Sequence, residues 1–400
     1  MSIDLIKVAS QVEGMVTRLK AGVREREEHL RYALDVASNK TSDLDYLRRK
    51  IAASKTTWLV AGLVDGLAQH YEAPPLPPEF TVVSTDGSHI DVDRHQSTRC
   101  YLINIGSITL SYGAQPTAIL DNSPALYYKA EDLAIAPTGV RGREQPIEGV
   151  LLGIRRGVEE CCQLARLATE LPPGSSNLAL LDGSLILWGL AGKTYPDFVA
   201  EALLKEGFLI HLDAIRKLNT EKKRIAIASY ISFPRSTDVV NVLRLAICPH
   251  EVADCDRYCS EKRDCDMVSG VPDRELYSNI LRPGERSASF FSQSSVVQKY
   301  YGLHQVYFFY LRVDDEIARI EIPQWVATDE TLLNLTHTLI FDQCQRGQGY
   351  PVALSEAHEK AVITGSDRQQ FWQLVESYLA AENMPVSGSE KNRSKRTKWI

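Results

Sequence analysis

The sequence has no apolar run of membrane-spanning length: the best candidate, Trp58 to Val64, is short and meets Asp65. Its opening, MSIDLIKV, lacks the apolar core of a secretory signal, so a cytoplasmic location is expected. Excess positive charge is missing too, since 45 Lys and Arg face 51 Asp and Glu for a formal net charge of −6. That disfavours a protein that coats nucleic acid over its whole surface and requires any such contact to be a local patch. Eight cysteines in 400 residues, in a reducing compartment, argue against a disulfide framework. No repeat of solenoid period occurs. The rest of the composition is near average, as for a globular chain of one large domain or two moderate ones.

The stretch Phe80 to Gly113, FTVVSTDGSHIDVDRHQSTRCYLINIGSITLSYG, organises the remainder. Thr81, Val82 and Val83 are β-branched, and Tyr101 to Tyr112 alternates apolar and polar residues, which reads as two antiparallel strands. Asp86 stands where the first strand is expected to end. Asn177 to Leu187, NLALLDGSLIL, repeats the arrangement: an apolar strand, then Asp182, Gly183 and Ser184. Either Asp-Gly alone also suits a tight hairpin turn. The pair says more, because carboxylates from neighbouring strands can gather divalent cations. Two cations about 4 Å apart are the usual apparatus for cutting a phosphodiester.

Ahead of this core, Ile3 to about His70 is helical in type, with Ile6, Val12, Val16, Leu19 and Val23 apolar and a charged run at Arg24 to His29. It reads as an amphipathic arm over residues 1–75, suited to a dimer or partner contact. Pro74, Pro75, Pro77 and Pro78 break it, and the main domain, 80–381, opens at Phe80. Glu148 to Leu171 has helical spacing and is stopped by Pro172, Pro173 and Gly174. Pro196 to Lys217 reads as a helix and Arg224 to Ser232 as a strand, an alternation that points to a parallel portion of sheet. Gln305 to Val313 and Glu316 to Ile322 form a hairpin around Asp314 and Asp315. Leu332, Leu335 and Leu339 share a helical face, and Ser366 with Gln369 makes a capping-box signature for a last helix to about Ala381. Residues 385–400 are polar and basic and read as a disordered tail. The fold class is α/β, a mixed sheet flanked by helices.

Two segments imitate other sites. GLAGKT, Gly189 to Thr194, follows a strand like the end of a phosphate-binding loop, but Leu187 occupies the first glycine position. Cys248, Cys255, Cys259 and Cys265, with His250, crowd 248–265 without forming a CxxC pair. A structural zinc, an iron-sulfur cluster and unconnected thiols all remain open there. Arg94, Arg235, Arg282 and Arg286 fall in loops or strand ends and are candidates for DNA phosphate contacts.

Gly349 to Gly365, GYPVALSEAHEKAVITG, completes the set: Pro351 can open a helix that carries Glu356, His358 and Glu359. TDGS after a helical arm, LLDGS after a helix, YFFYLR with EIARIEIP, and GYPVALSEAH resemble, in this order, the NurA nuclease family over about Phe80 to Leu379. The resemblance implies a ribonuclease H-like fold and a manganese-dependent (or magnesium-dependent) DNA nuclease. Such an enzyme acts as a 5'-to-3' exonuclease and single-strand endonuclease with the HerA hexameric ATPase in end resection and double-strand break repair, as a homodimer. It matches Asp86 and Asp182 to the catalytic, metal-holding aspartates and His358 to the C-terminal histidine. A glutamate also belongs to such a site. Glu148 and Glu159 share a helical face, and Glu159, with Arg155 and Arg156, resembles the family's helix ahead of the second aspartate. Two rival readings are an actin-like ATP-dependent phosphotransferase, which also opens with an Asp-Gly turn, and a non-catalytic DNA-processing adaptor.

Overall fold

The computed structural model describes every residue except 1–2, 40, 42, 93–97, 138, 140–142, 193, 221–222, 260–262 and 385–400. Arg94 and the basic tail therefore lie outside the described residues. The principal elements are α1 (Leu5–Asn39), α2 (Leu44–Ala53), β1 (Phe80–Ile90), β2 (Tyr101–Tyr112), β3 (Thr117–Tyr127), α3 (Val150–Glu170), β4 (Ser176–Asp182) and α4 (Leu209–Leu218). They continue with β5 (Arg224–Ile231), α5 (Asp238–Ile247), β6 (Val306–Val313), β7 (Glu316–Pro323), α6 (Glu330–Arg346), α7 (Val352–Ala361) and α8 (Gly365–Ala381). This is the expected α/β class with a mixed sheet.

The chain divides into two compact units, one of Met1–Glu72, Ser232–Gln293 and Tyr307–Arg319, the other of Ala73–Ile231, Ser294–Val306 and Ile320–Ile400. The sequence had suggested instead a separate arm followed by one continuous domain. The arm shares a core with later segments because α1 turns small residues, Ala33, Val36 and Ala37, inward. They pack with Leu47 and Ile51 of α2, Val239 and Leu243 of α5, and Phe308 and Tyr310 of β6. The N-terminal part of α1 leaves Leu5, Ile6, Val12, Met15, Val16, Leu19 and Val23 exposed. Within this unit Arg319 Nη1 donates to Asp238 Oδ2 at 2.9 Å with both side chains nearly buried. Asp273, fully buried, accepts from the Val240 and Val239 N–H groups at 2.8 and 3.2 Å and from the Tyr310 hydroxyl at 2.6 Å. It thereby satisfies donors at the start of α5 that the helix cannot.

In the second unit the strand order is β5-β4-β1-β2-β3. β1 runs parallel to β4, and β4 parallel to β5. β1 and β2 pair antiparallel, with Asp86 opposite Gly106. Asp86 does not end its strand: pairing with β2 continues to Ile90, whereas pairing with β4 stops at Thr85. β3 is the edge strand, exposed from Thr117 through Leu126. Leu178 to Leu181 of β4 are all buried, the continuous apolar run of a strand covered on both faces. α3 turns Leu151, Leu152, Ile154, Val158, Cys161 and Leu164 inward at helical spacing. α7 lies against β1 and β2, and Gly106 permits this, because a Cβ there would fall on the Ala357 carbonyl and the Ala361 N–H. Buried Asn104 then donates to the Lys360 and Ala361 carbonyls at 3.1 and 3.0 Å, and Gln343 accepts from the Ala353 N–H at 3.3 Å. α7 is fixed at both ends.

Candidate active site

Asp86 and Asp182 stand on adjacent strands, where the parallel pairing of β1 and β4 gives out. The carboxyl ends of parallel strands are where open α/β sheets hold ligands. Asp86 Oδ1 accepts from the Gly87 N–H at 2.8 Å, and Asp86 Oδ2 lies 2.7 Å from His358 Nδ1. This bond is short because Asp86 shares a sheet face with Gly106, on which α7 rests, and His358 sits in the last turns of α7. Asp182 Oδ1 accepts from the Gly183 N–H at 3.0 Å and from the Tyr350 hydroxyl at 3.1 Å. Gly183 has φ +84°, a backbone conformation that favours glycine just where the chain leaves the strand. Burial pushes Asp182 above the usual carboxylate range; the Tyr350 hydrogen bond opposes this and the Asp86 charge adds to it.

A third carboxyl group reaches the pair from α3. Glu160, 12% exposed, is pushed up to about 7 by burial, Arg156 pulling it down and Asp86 and Asp182 pushing it further up. Arg156 Nε lies 3.0 Å from Glu160 Oε1, yet neither atom makes a well-aligned hydrogen bond. Gly87 gives Glu160 its room: a Cβ there would stand 2.6 Å from Glu160 Oε1 and 2.8 Å from Arg156 Cγ. The Thr85 hydroxyl donates to the Glu160 carbonyl at 2.9 Å and ties α3 to β1 at this level.

The other glutamates are placed elsewhere. Glu159 pairs with Arg155 at 2.7 Å and acts electrostatically on Tyr127; Glu148 meets Arg99 at 3.1 Å. One residue along a helix is about 100° of rotation, so Glu160 and not Glu159 faces the aspartates. Tyr350 belongs to a segment already singled out, but its hydroxyl had no role until α7 was placed.

Arg235 and Arg282 are exposed in the first unit. Arg286 corrects an expectation: it is 5% exposed, lies over the Tyr71 ring at 4.2 Å and donates to the Ser287 carbonyl, a core cation rather than a phosphate contact. All eight cysteines are free. Cys255 and Cys265 are buried, Arg244 donates to Cys265 Sγ at 3.7 Å, and His250 stacks on Tyr258 at 4.3 Å. Among the described residues no three His, Cys, Asp or Glu side chains stand as a ready-made metal cage, at the cysteines or at the aspartates. Among the described residues of 189–194 no α-helix begins; a 3₁₀ turn covers Trp188–Leu190 and the next described helix starts at Asp197.

Acidic groups thus approach one another at the strand ends, with an imidazole hydrogen-bonded to one of them. A family model for the NurA domain matches residues 80–363, and the chain belongs to the NurA family. It is thus a nuclease-family protein, of a family associated with DNA and HerA. No curated protein matches the chain. No helix among the described residues is long and apolar enough to cross a membrane.

Proposed function

We propose that the chain is a metal-dependent nuclease that hydrolyses DNA phosphodiesters, as a 5'-to-3' exonuclease and a single-strand endonuclease, in end resection and double-strand break repair. The carrying observation is the gathering of Asp86, Asp182 and Glu160, with His358 hydrogen-bonded to Asp86. Three carboxyl groups, with Arg156 beside Glu160 and His358 beside Asp86, leave negative charge that a divalent cation offsets. The fit is one of donor chemistry and of a buried oxygen, Glu160 Oε1, whose 3.0 Å contact with Arg156 Nε is poorly aligned, rather than of a preformed cage. Carboxylates suit manganese and magnesium alike, and the imidazole favours manganese. Asp86, Asp182 and Glu160 would hold the ion, which when bound activates water and stabilises charge on the leaving oxygen.

The chain's own residues set the rest. With Nδ1 hydrogen-bonded to Asp86, His358 presents Nε2 as the atom that accepts or returns a proton. Tyr350 holds the Asp182 carboxylate in one orientation. Exposed Arg235 and Arg282 are assigned to phosphate contact, the exposed face of α1 to a homodimer, and a HerA-type ATPase to the movement of DNA. The setting is cytoplasmic and the fold ribonuclease H-like, a reading supported by three antiparallel strands continued by two parallel ones. End-labelled DNA incubated with purified protein and manganese, magnesium or EDTA tests the reading. Cutting with either metal and none in EDTA is expected; DNA left whole in all three would end it.

A further inference from the structure

Beyond Asp182 the chain spends six residues reaching Trp188, the one exposed tryptophan among the described residues. A large aromatic ring is costly to leave in water, and this one is held there by construction. Glu321, only 1% exposed, accepts from the Ser184 hydroxyl at 2.7 Å and from the Leu185 N–H at 3.0 Å. The buried Tyr301 hydroxyl donates to the Leu185 carbonyl at 2.9 Å and accepts from the Leu187 N–H at 3.0 Å. Ser184 Oγ also accepts from the Ile186 N–H at 3.0 Å and from the indole Nε1 of Trp188 at 3.2 Å. Next to the ring, Gly189 is pressed on α3, where a Cβ would stand 2.8 Å from Ile154 Cδ1 and 2.9 Å from Val150 Cγ1.

A buried carboxylate and a buried phenol therefore order a short loop that ends in an exposed indole. Such a network is justified energetically when it pre-orients a contact surface. The indole nitrogen is bonded to Ser184, and Ser184 is two residues from Asp182, a Cα separation of at most about 7 Å. The ring thus stands beside the acidic centre, where a strand placing its phosphate on Asp182 brings a neighbouring base. The edge bond to Ser184 leaves the indole nitrogen satisfied, and with the residue 45% exposed its ring surface is open to stacking, which every base can provide.

We infer that Trp188 is a nucleobase-stacking subsite that holds a single-stranded segment of substrate next to the scissile phosphate. This rests on the reading of the acidic centre as a DNA-cutting site. The ligand class is an unpaired nucleotide of any sequence, recognised by its π-face.

The test uses the full chain in EDTA, with end-labelled single-stranded oligonucleotides followed by fluorescence anisotropy. Trp188→Ala should weaken binding about tenfold, the scale of one lost base stack, and Trp188→Phe should restore most of it. An abasic site moved along the oligonucleotide should cost wild-type protein a similar factor at one or two positions and cost Trp188→Ala nothing there. If Trp188→Ala does not fold, judged by circular dichroism, the abasic scan on wild-type protein decides alone. Wild-type affinity in a folded Trp188→Ala protein, or a flat abasic scan, overturns the inference while leaving metal-dependent cutting by wild type intact. Wild-type protein that neither binds nor cuts DNA removes both.

Discussion

The acidic pair buried in the first unit and the acidic cluster at the strand ends of the second are treated in different ways. In the first unit Asp238 has Arg319 at 2.9 Å, and Asp273 has two helix N–H groups and a tyrosine hydroxyl. In the second, the Asp86 and Asp182 charges add to the burial that raises Glu160, and Glu160 Oε1 has no well-aligned donor. Residue type and burial alone do not separate structure from function here; the completeness of the charge and hydrogen-bond account does. A satisfied buried carboxylate stabilises its surroundings, and an unsatisfied group of them is poised for a ligand.

That contrast is sharpest at the aspartates. Asp86→Asn or Asp182→Asn should each lower cleavage on the order of a thousandfold while leaving the melting curve close to wild type, since the amide keeps an oxygen to accept from the Gly87 N–H, or from the Gly183 N–H and the Tyr350 hydroxyl, and removes one of the mutually repelling charges. Rates and thermal unfolding of the two variants check this, and near-normal turnover by either would undo the assignment. Asp238→Asn should do the reverse: it removes the carboxylate 2.9 Å from the buried Arg319 guanidinium, at a loss of up to about 3–5 kcal/mol, with cleavage per folded molecule preserved. Denaturant titration beside an activity assay distinguishes the two behaviours.

Gly87→Ala is a smaller probe of the same difference. Its Cβ would displace Glu160 and Arg156, and cleavage should fall about 10- to 100-fold, as when a supporting contact of a metal site is lost. Gly87 has no positive φ, so strain in the backbone is not a competing cause. Full activity in Gly87→Ala would remove Glu160 from the centre.

The mildest effect concerns pH. Burial pushes Asp273 up to about 7, with the Asp238 charge adding to it. A carboxyl raised in the folded state binds more protons there than in the unfolded chain. Its contribution is therefore complete below about 4 and is lost as pH rises through about 7. Stability should fall across that window by at most about 1.4 kcal/mol per pH unit from this group, and Asp273→Asn should flatten the slope. Unfolding midpoints from pH 4 to 8 for both proteins measure it.

The same distinction governs what could be read from the chain. Asp86, Asp182 and His358 were singled out by two Asp-Gly pairs after apolar strands, a helix opened by Pro351 and the family resemblance, and His358 Nδ1 does lie 2.7 Å from Asp86 Oδ2. Glu160 was not, since Arg155–Glu159 and Arg156–Glu160 are equally good i,i+4 pairs, and the absent side chain at Gly87 decides between them. β3 was not picked out from the sequence; Asp121, Asn122 and Pro124 are poor strand formers, yet the strand pairs with β2 along its length, as an edge strand tolerates proline. The last helix is capped by Thr364 with Asp367, two residues before the Ser366 and Gln369 signature. Both pairs have capping-box spacing, and only the position of α7 shows where the turn must start. The fate of the N-terminal helix was illegible for a longer-range reason: its inward residues are alanines and a valine whose partners come from β6 and from α5.

That late partnership sets a timetable for synthesis. The first unit opens at the start of the chain but lacks its second segment until Ser232 and its third until Tyr307. Translation of the intervening 73–231 takes roughly ten to thirty seconds at ribosomal rates. Throughout that interval α1 and α2 are outside any finished core, and the apolar stripe from Leu5 to Val23 is open to whatever meets it first. The second unit also needs late pieces, residues 294–306 and everything from Ile320. Neither unit can close before the other is largely made, so apolar surface in both stays open during synthesis for longer than in a protein built of two consecutive domains.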